Sequence, residues 1–370
     1  MKPVITKVEV FGVGVPLVGG GFKNAYVTKT IQKSAVIRIT DDEGSQGLGN
    51  IDPSPGYSAE TIEDSLKVLK EVLAPLVIGM DASNIHKLLI QMDAKLNDFY
   101  DAKAAIEMAC TDLICRKLGI PVYTYLGGEV VNELLFNAWI GILPPDEAAA
   151  EAKKWFDKGF KSAKVKVGGD IHADRDRIAA IREAVGPTMK LRADANAGYQ
   201  VDEAIALGRL LEPFDMQLFE QPVHADDLAG MAKVRQAVGI PIMADESIID
   251  HESLIAVIKH DAADIVKLKV MKQGGFLNAR RMLETASAAG LKVVIGHGFG
   301  LGVNTVAEIM FAATSPDVIA GLECVGPLKT VDDIVTHKLD ISSGHLALPQ
   351  GPGLGVILDD EKLNQYKFFG

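Results

Sequence analysis

The chain has 370 residues, 48% of them hydrophobic, and carries a formal net charge of −11. This acidic balance argues against nucleic acid or an anionic membrane surface as a partner, and no apolar run approaches the roughly 18–20 residues of a membrane-spanning helix. The three cysteines contain no CxxC pair and give no disulfide framework, so we expect a reducing, cytoplasmic location.

Residues 1–128 are predicted to form an N-terminal α+β capping domain. The stretches ITKVEVFGVGVPL and KSAVIRITDDEG have the pattern of strands, and a glycine-rich connection separates them. Helical patterns follow. The first is expected to be capped by Ser58, and the last ends at Gly119 and Pro121. Strands followed by helices are typical of an α+β domain.

Residues 129–325 alternate short apolar strands with longer helices. Strand patterns from LLFNAWIG to VIAGLEC form eight units that recur at roughly 25 residues, which is the dimension of a βα unit in a parallel barrel. We therefore predict an α/β fold in which a (β/α)8 TIM-like barrel is the catalytic domain. Residues 326–370 are expected to return to the capping domain and complete it.

Polar side chains end nearly every predicted barrel strand, where the active groups of such barrels lie. In chain order they are Lys164, Lys166, Asp194, Asn196, Glu220, Asp245, Glu246, Lys267, Lys269, His297 and Glu323. Each alone has a structural explanation, such as a solvated strand face, a helix cap or a hydrogen-bonded core histidine. Their joint position at consecutive strand ends favours one common site.

Three of these carboxylates, those of Asp194, Glu220 and Asp245, would converge at the barrel mouth and repel one another. A hard divalent cation with oxygen ligands, such as Mg²⁺, resolves that repulsion. Lys166 and Lys269 lie four strands apart and would oppose each other across the mouth. Lysines near a cation and near each other lose basicity, so either could take the α-proton of a metal-bound carboxylate, and the metal would stabilise the enediolate.

These motifs resemble those of the enolase superfamily, in its mandelate racemase/muconate lactonizing enzyme family and the muconate lactonizing enzyme (muconate cycloisomerase) subgroup. KVKVG resembles the second-strand KxK motif. LRADANAGY, LFEQP and IMADES resemble the segments with the metal ligands, and DIVKLKVMKQGG resembles the sixth-strand segment. The resemblance implies Asp194, Glu220 and Asp245 as ligands of Mg²⁺, for which Mn²⁺ could substitute. It implies Lys166 and Lys269 as the acid/base pair.

The same resemblance implies roles for the surroundings of this pair. Lys164 is expected to be an electrostatic neighbour that helps to bind the substrate carboxylate, and Lys267 is a weaker candidate that shares a face with Lys269. Members of this family usually assemble, so the resemblance also implies a homo-oligomer.

The chain departs from the pattern expected of lactonizing enzymes and dipeptide epimerases at strand seven, which ends in GHGFGLG. We expect His297 there to contact the substrate. Glu323 could meet a cationic group such as an amine, or hydrogen-bond behind the site. The loop GGGFKNAYVT is either an ordinary hairpin or a lid that excludes water, with Phe22 and Tyr26 on the substrate. Trp139 could line the pocket or fill the barrel base.

The function predicted from these features is a Mg²⁺-dependent isomerase that abstracts the proton α to a substrate carboxylate and forms a metal-stabilised enediolate. Racemisation, epimerisation and cycloisomerisation all use this chemistry, and we expect an amino-acid derivative or a small carboxylic acid as the substrate. One alternative is a lyase that eliminates a β leaving group from the same enediolate. The other is a non-catalytic binding barrel.

Overall fold

The computed structural model describes residues 2–23, 28–54 and 58–368 of the chain. Its N-terminal part combines a small sheet with helices. The strands are β1 (Ile5–Pro16), β2 (Phe22–Lys23), β3 (Thr28–Lys29), β4 (Ile31–Asp41) and β5 (Gln46–Ile51). The helices are α1 (Ile62–Val68), α2 (Ala74–Val77), α3 (Ile85–Lys95), α4 (Tyr100–Leu118) and α5 (Val122–Tyr125), with a 3-10 turn at Val18–Gly20 and a π-helical turn at Leu69–Leu73.

The N-terminal sheet, in the antiparallel order β1–β4–β5, packs closely on α4. Two glycines of β5 permit this approach. A Cβ atom on Gly49 would lie 2.0 Å from the carbonyl oxygen of Ala105, and one on Gly47 would lie 2.1 Å from that of Ala109. The sheet therefore lies directly on the backbone of the helix.

The start of α1 differs from the expectation from the sequence. The helix begins at Ile62, and the hydroxyl of Thr61, not that of Ser58, accepts the backbone N–H of Asp64. The Ser58 hydroxyl instead donates to the carboxylate of Asp101 at 2.8 Å. Either hydroxyl could cap a helix. The contact of Ser58 with Asp101, which is distant in sequence, leaves Thr61 as the cap.

A barrel follows this domain. The short strand β6 (Glu133–Leu135) precedes the barrel and lies outside its sheet, and the barrel strands are β7 (Asn137–Ile140), β8 (Ser162–Lys166), β9 (Lys190–Asp194), β10 (Met216–Glu220), β11 (Ile242–Ala244), β12 (Ile265–Leu268) and β13 (Lys292–Ile295). The helices are α6 (Pro145–Asp157), α7 (Ile171–Val185), α8 (Val201–Leu211), α9 (Leu228–Ala237), α10 (His251–Lys259), α11 (Phe276–Ala288) and α12 (Gly302–Ala312), with a 3-10 turn at Glu212–Phe214. Strands β7 to β13 form one parallel sheet in chain order.

The eighth predicted strand, VIAGLEC, closes the barrel without forming a regular strand. Val318 pairs with Val293 of β13, and Leu322 pairs with Phe136 beside β7, each through an isolated bridge. The fully buried Arg192 donates to the carbonyl oxygens of Ala320 and Gly321, both at 2.8 Å. Side-chain hydrogen bonds thus replace part of the backbone ladder in this eighth segment, residues 318–324.

The C-terminal part contains α13 (Gly326–Lys329), β14 (His345–Ala347) and α14 (Asp360–Gln365). Strand β14 pairs with β6, and the end of the chain returns to β1: the Gly14 N–H donates to the carbonyl of Tyr366 at 2.7 Å, and the Phe368 N–H to that of Gly12 at 3.0 Å. The capping domain is therefore completed by the C-terminal segment. None of the helices in the described part of the chain has the length and apolar character needed to cross a membrane.

Candidate active site

A cavity of about 850 Å³ lies at the carboxyl ends of the barrel strands. Of the residues singled out from the sequence, those that line it are Trp139, Lys164, Lys166, Asn196, Asp245, Lys267, Lys269, His297 and Glu323. Asp194 and Glu220 lie directly behind them, because both contact the ammonium group of Lys164. The polar residues predicted at the carboxyl ends of the strands thus surround the same cavity.

The two candidate acid/base lysines enter the cavity from separate parts of the barrel. Lys166 ends β8, and its Nζ lies 2.6 Å from Oδ2 of Asp194. Lys269 directly follows β12, and its Nζ lies 2.5 Å from Oδ1 of Asp245. Since β8 and β12 are four strands apart in a ring of eight segments, these lysines flank the cavity from opposite sides.

The three candidate metal ligands are fully buried on neighbouring strands. Glu220 is directly opposite Asp194 in the parallel register, and Asp245 follows β11. Burial, followed by repulsion from Asp194, raises the pKa of Glu220 to about 8. Burial alone would also raise the pKa of Asp245, but Lys269 and Lys267 bring it well below its ordinary value.

The ammonium groups of two lysines lie between these carboxylates. Lys164 Nζ is 3.1 Å from Asp194 and 3.3 Å from Glu220, and Lys267 Nζ is 3.1 Å from Glu220 and 3.4 Å from Asp245. Within the described ranges, no three His, Cys, Asp or Glu side chains are arranged to hold a metal ion by themselves.

The donor set nevertheless fits a hard divalent cation. It consists of three carboxylates on consecutive strands, which are the oxygen ligands that Mg²⁺ prefers. Oδ2 of Asp245 is buried and accepts no hydrogen bond from the residues that the structure describes. Lys267 Nζ lies 3.4 Å from this oxygen without a hydrogen bond to it, so a cation bound at closer range would satisfy the oxygen better.

Neighbouring side chains fix the orientation of these groups. Lys166 Nζ also donates to Oδ1 of Asn196, whose Nδ2 donates to Glu246 at 3.1 Å. The backbone N–H of Asp245 donates to Oε1 of Gln221 at 3.0 Å. Gln221 was not predicted from the sequence as a site residue. It directly follows the proposed ligand Glu220 in the motif LFEQP, and that position could have indicated its supporting role.

His297 lines the cavity, and its ring hydrogen-bonds the backbone of Asp52. Burial, followed by the charges of Lys269 and Lys29, holds the pKa of His297 well below its ordinary value, so the ring is neutral. Its Nε2 atom is buried and has no hydrogen-bond partner among the described residues. The position therefore remains consistent with a substrate contact.

Glu323 is occupied by cations of the protein itself. Its carboxylate lies 2.6 Å from Lys164 Nζ, 2.5 Å from Lys267 Nζ and 3.2 Å from Arg192. Burial opposes ionisation, but Lys164 and Lys267 hold the pKa of Glu323 well below its usual range. Two roles were considered for Glu323 from the sequence: contact with a cationic group of the substrate, and hydrogen bonding to protein groups behind the site. This arrangement favours the second role.

The glycine-rich loop is only partly described. Tyr26 lies outside the described residues, and only the backbone of Phe22 is described, as part of the hairpin of β2 and β3. Gly21 and Lys29 of this region line the cavity. The substrate contacts of Phe22 and Tyr26 stay predictions.

A cluster of lysine and aromatic side chains at another part of the cavity wall was not predicted as a cluster from the sequence. Lys29 Nζ lies 3.5 Å from the centroid of the Phe299 ring. Lys329 Nζ lies 4.1 Å from the same centroid and 4.6 Å from that of Trp139, which therefore lines the pocket. No periodic pattern marks Lys29 or Lys329, which come from the capping domain and from α13.

Comparisons with known proteins cover nearly the whole chain. Residues 5–127 match the mandelate racemase/muconate lactonizing enzyme N-terminal domain, and residues 147–362 match the enolase C-terminal domain-like family. The L-Ala-D/L-Glu epimerase of Bacillus subtilis is 33% identical over 95% of this chain and 96% of its own length.

Two further relatives have similar structures. The N-succinyl-L-Arg/Lys racemase of Bacillus cereus is 32% identical over 99% of this chain and 98% of its own length, and its crystal structure gives a TM-score of 0.94. A muconate lactonizing enzyme of Pseudomonas fluorescens, complexed with muconolactone, is 30% identical with a TM-score of 0.93, and the match covers all of both chains. All three relatives are named for isomerase reactions.

Proposed function

The chain belongs to the mandelate racemase/muconate lactonizing enzyme family of the enolase superfamily and is an isomerase of that family, and we propose that it moves the proton α to a substrate carboxylate with a divalent metal ion. The observation that carries this proposal is the placement of Lys166 and Lys269 on opposite sides of one cavity. A substrate between two lysines can lose its α-proton to one of them from one face, and the planar carbanion that results can take a proton from the other lysine on the opposite face, which inverts the configuration.

Asp194, Glu220 and Asp245 would hold the ion, with Mg²⁺ as the first choice and Mn²⁺ as a substitute. When bound, the ion compensates the charge of these carboxylates and of the substrate carboxylate, so that the α-proton becomes more acidic. Lys164 contributes a further positive charge on the same side of the cavity.

The base must be a neutral lysine at the moment of proton abstraction. Burial lowers the pKa of Lys166, but Asp194 and Glu220 outweigh that effect, and the pKa lies above its ordinary value. If the charges of both Asp194 and Glu220 were compensated, burial and the neighbouring cation of Lys267 would favour the neutral amine of Lys166. The amine then takes the proton, and Lys269 holds the proton that is returned to the other face.

Racemisation or epimerisation of an amino-acid derivative or small carboxylic acid uses both lysines. Cycloisomerisation uses the same pair with one proton transfer, and relatives of both kinds are known. The isomerase names of the relatives favour return of the proton over elimination, so the lyase is kept as an outcome of the test.

A deuterium-exchange screen tests the proposal. The protein with Mg²⁺ is incubated in D₂O with pooled N-acyl and N-methyl amino acids, prolines, dipeptides, acid sugars and muconate, and mass shifts are measured. We expect one compound to gain a single deuterium and to accumulate as its inverted or cyclised form. Exchange followed by loss of water or another β group would instead show a lyase. No exchange in any pool, with Mg²⁺ bound, would count against the proposal.

A further inference from the structure

The cavity contains two lysines beyond the four on β8 and at β12. Lys29 of β3 donates from Nζ to Oε1 of Gln32 at 2.7 Å and to the hydroxyl of Ser54 at 3.3 Å. Lys329 is the last residue of α13. Both ammonium groups contact the ring of Phe299 and line the same space as Lys166 and Lys269.

This part of the wall is unsuited to a cationic group of a ligand. Aromatic faces attract cations, but the Phe299 ring already has Lys29 at 3.5 Å and Lys329 at 4.1 Å. The nearby carboxylate of Glu323 is compensated by cations of the protein. A free amine of a substrate would therefore meet the like charges of Lys29 and Lys329.

An anionic group of a ligand would be attracted to this part of the wall. Burial, the largest cause, lowers the pKa of Lys29 to about 8, and burial together with Lys164 and Lys29 lowers that of Lys329 well below its ordinary value. The shift of Lys29 reflects the cost of a desolvated positive charge, and the shift of Lys329 reflects in addition the positive charges near it. A ligand anion between the two ammonium groups would offset this cost and favour their charged forms.

We propose that Lys29 and Lys329, both in contact with Phe299, form a subsite for a second anionic group of the substrate. The substrate is then a dianion, in which one carboxylate carries the α-proton and a carboxylate or phosphate lies at the distal end. A dipeptide with a free amine at that end is excluded. This inference rests on the proposed function for the first carboxylate, whereas the subsite itself depends only on the two lysines.

Matched ligands that differ only in distal charge test the subsite directly. N-malonyl, N-succinyl and N-glutaryl amino acids are compared with their terminal amides, which have the same shape but no distal charge, and N-(phosphonoacyl) amino acids of the same lengths represent the phosphate. Binding to the Mg²⁺-loaded protein is measured by calorimetry. We expect at least one acid to bind about tenfold or more tightly than its amide, as one charge-assisted hydrogen bond would give.

The variants Lys29→Met and Lys329→Met should each reduce this preference to near unity, and Lys329→Arg should retain much of it. Lys33→Met is the matched control, because Lys33 is an exposed lysine of β4 that pairs with Glu63. Equal binding of acid and amide in every pair, or an undiminished preference in Lys329→Met, would overturn the subsite.

The failures of the two proposals are distinguishable. A distal-charge preference without any deuterium exchange would leave the subsite in place and refute the isomerase proposal. If compounds with neutral distal groups exchanged their α-proton as fast as the corresponding acids, the isomerase proposal would stand and the anionic subsite would be refuted. The ratio of kcat/KM for acid and amide adds a second readout, since a distal binding group acts first on KM.

Discussion

The two lysines of KVKVG share one face of β8 but have different partners. Lys164 is held by Asp194, Glu220 and Glu323, whereas Lys166 contacts Asp194 and Asn196. Strand periodicity predicts the shared face from sequence alone. It could not predict that Glu323, from the irregular eighth segment, binds Lys164, because that contact depends on how the barrel closes.

At the residue scale, removal of the Glu323 charge should destabilise the protein. Glu323→Gln leaves Lys164, Lys267 and Arg192 buried with less negative charge near them, and breaking such a buried network costs about 3 kcal/mol. Urea unfolding without added metal measures this loss. Glu151→Gln, at a surface pair on α6, is the control and should change the free energy of unfolding by less than about 0.5 kcal/mol. Equal stability of the two variants would contradict the network.

At the element scale, the order of strands and helices could be predicted from the sequence. Whether each predicted strand forms a regular hydrogen-bonded strand could not. The seven strands β7 to β13 correspond to predicted strands, whereas VIAGLEC closes the ring through single bridges and Arg192. An apolar run and its spacing predict that a segment lies in the barrel wall. They do not report whether side-chain donors such as Arg192 replace ladder hydrogen bonds.

The close approach of β5 to α4 gives a stability prediction. Gly49→Ala would place a methyl group 2.0 Å from the carbonyl oxygen of Ala105, so strand and helix must separate. We expect the free energy of unfolding to fall by about 3 kcal/mol. In the control Gly169→Ala, no atom lies within 4 Å of the new methyl group, and the stability should be unchanged or slightly higher. A similar stability for both variants would show that β5 has room to move.

Glu107 joins α4 to the barrel and gives a pH dependence. Its buried carboxylate accepts the backbone N–H groups of Phe276 at 2.9 Å and Leu277 at 3.2 Å, in the first turn of α11. Burial raises its pKa from 4.5 to about 7. Between these values the folded state keeps a proton that the unfolded chain loses, so stability falls as pH rises from about 4.5 to 7 and levels off above it.

The substitution Glu107→Gln should remove this contribution. Between pH 4.5 and pH 8, wild-type protein should lose about 3 kcal/mol more stability than the variant. Chemical unfolding of both proteins across this range measures the difference, and comparison of the two cancels the effects of other buried carboxyl groups. Parallel pH curves would mean that Glu107 ionises with an ordinary pKa in the folded protein.

At the scale of the whole molecule, the repeat of strand and helix and the quoted motifs were sufficient to predict the fold class and the convergence of the lysines and carboxylates. The anionic subsite was not predictable, because Lys29 and Lys329 lie about 300 residues apart in segments without periodicity. They meet only because the capping domain and the C-terminal segment both cover the mouth of the barrel. A homo-oligomer and a cytoplasmic location stay predictions from the sequence.

Metal binding should stabilise the whole molecule. A ligand at a hundred times its dissociation constant adds about 2.7 kcal/mol to the free energy of unfolding, so Mg²⁺ should raise the Tm of EDTA-treated protein by several degrees. Glu220→Gln should abolish most of this increase, whereas Glu252→Gln, at an exposed position of α10, should retain it. An equal Mg²⁺ effect in both variants would mean that the ion binds elsewhere.

The most direct test of the two-lysine mechanism is stereospecific deuterium exchange in single variants. With the substrate identified by the D₂O screen, each enantiomer or epimer is incubated separately with Lys166→Met and Lys269→Met, and the α-proton is followed by NMR. Lys153→Met, at a surface pair of α6, is the control for substitution of a lysine.

Each active-site variant should lose inversion by at least about a hundredfold, as expected for loss of an acid/base group. Each should still exchange the α-proton of one stereoisomer, and the two variants should act on opposite stereoisomers. Exchange of the same stereoisomer by both variants, or full inversion by either, would contradict the assignment of Lys166 and Lys269 to opposite faces of the substrate.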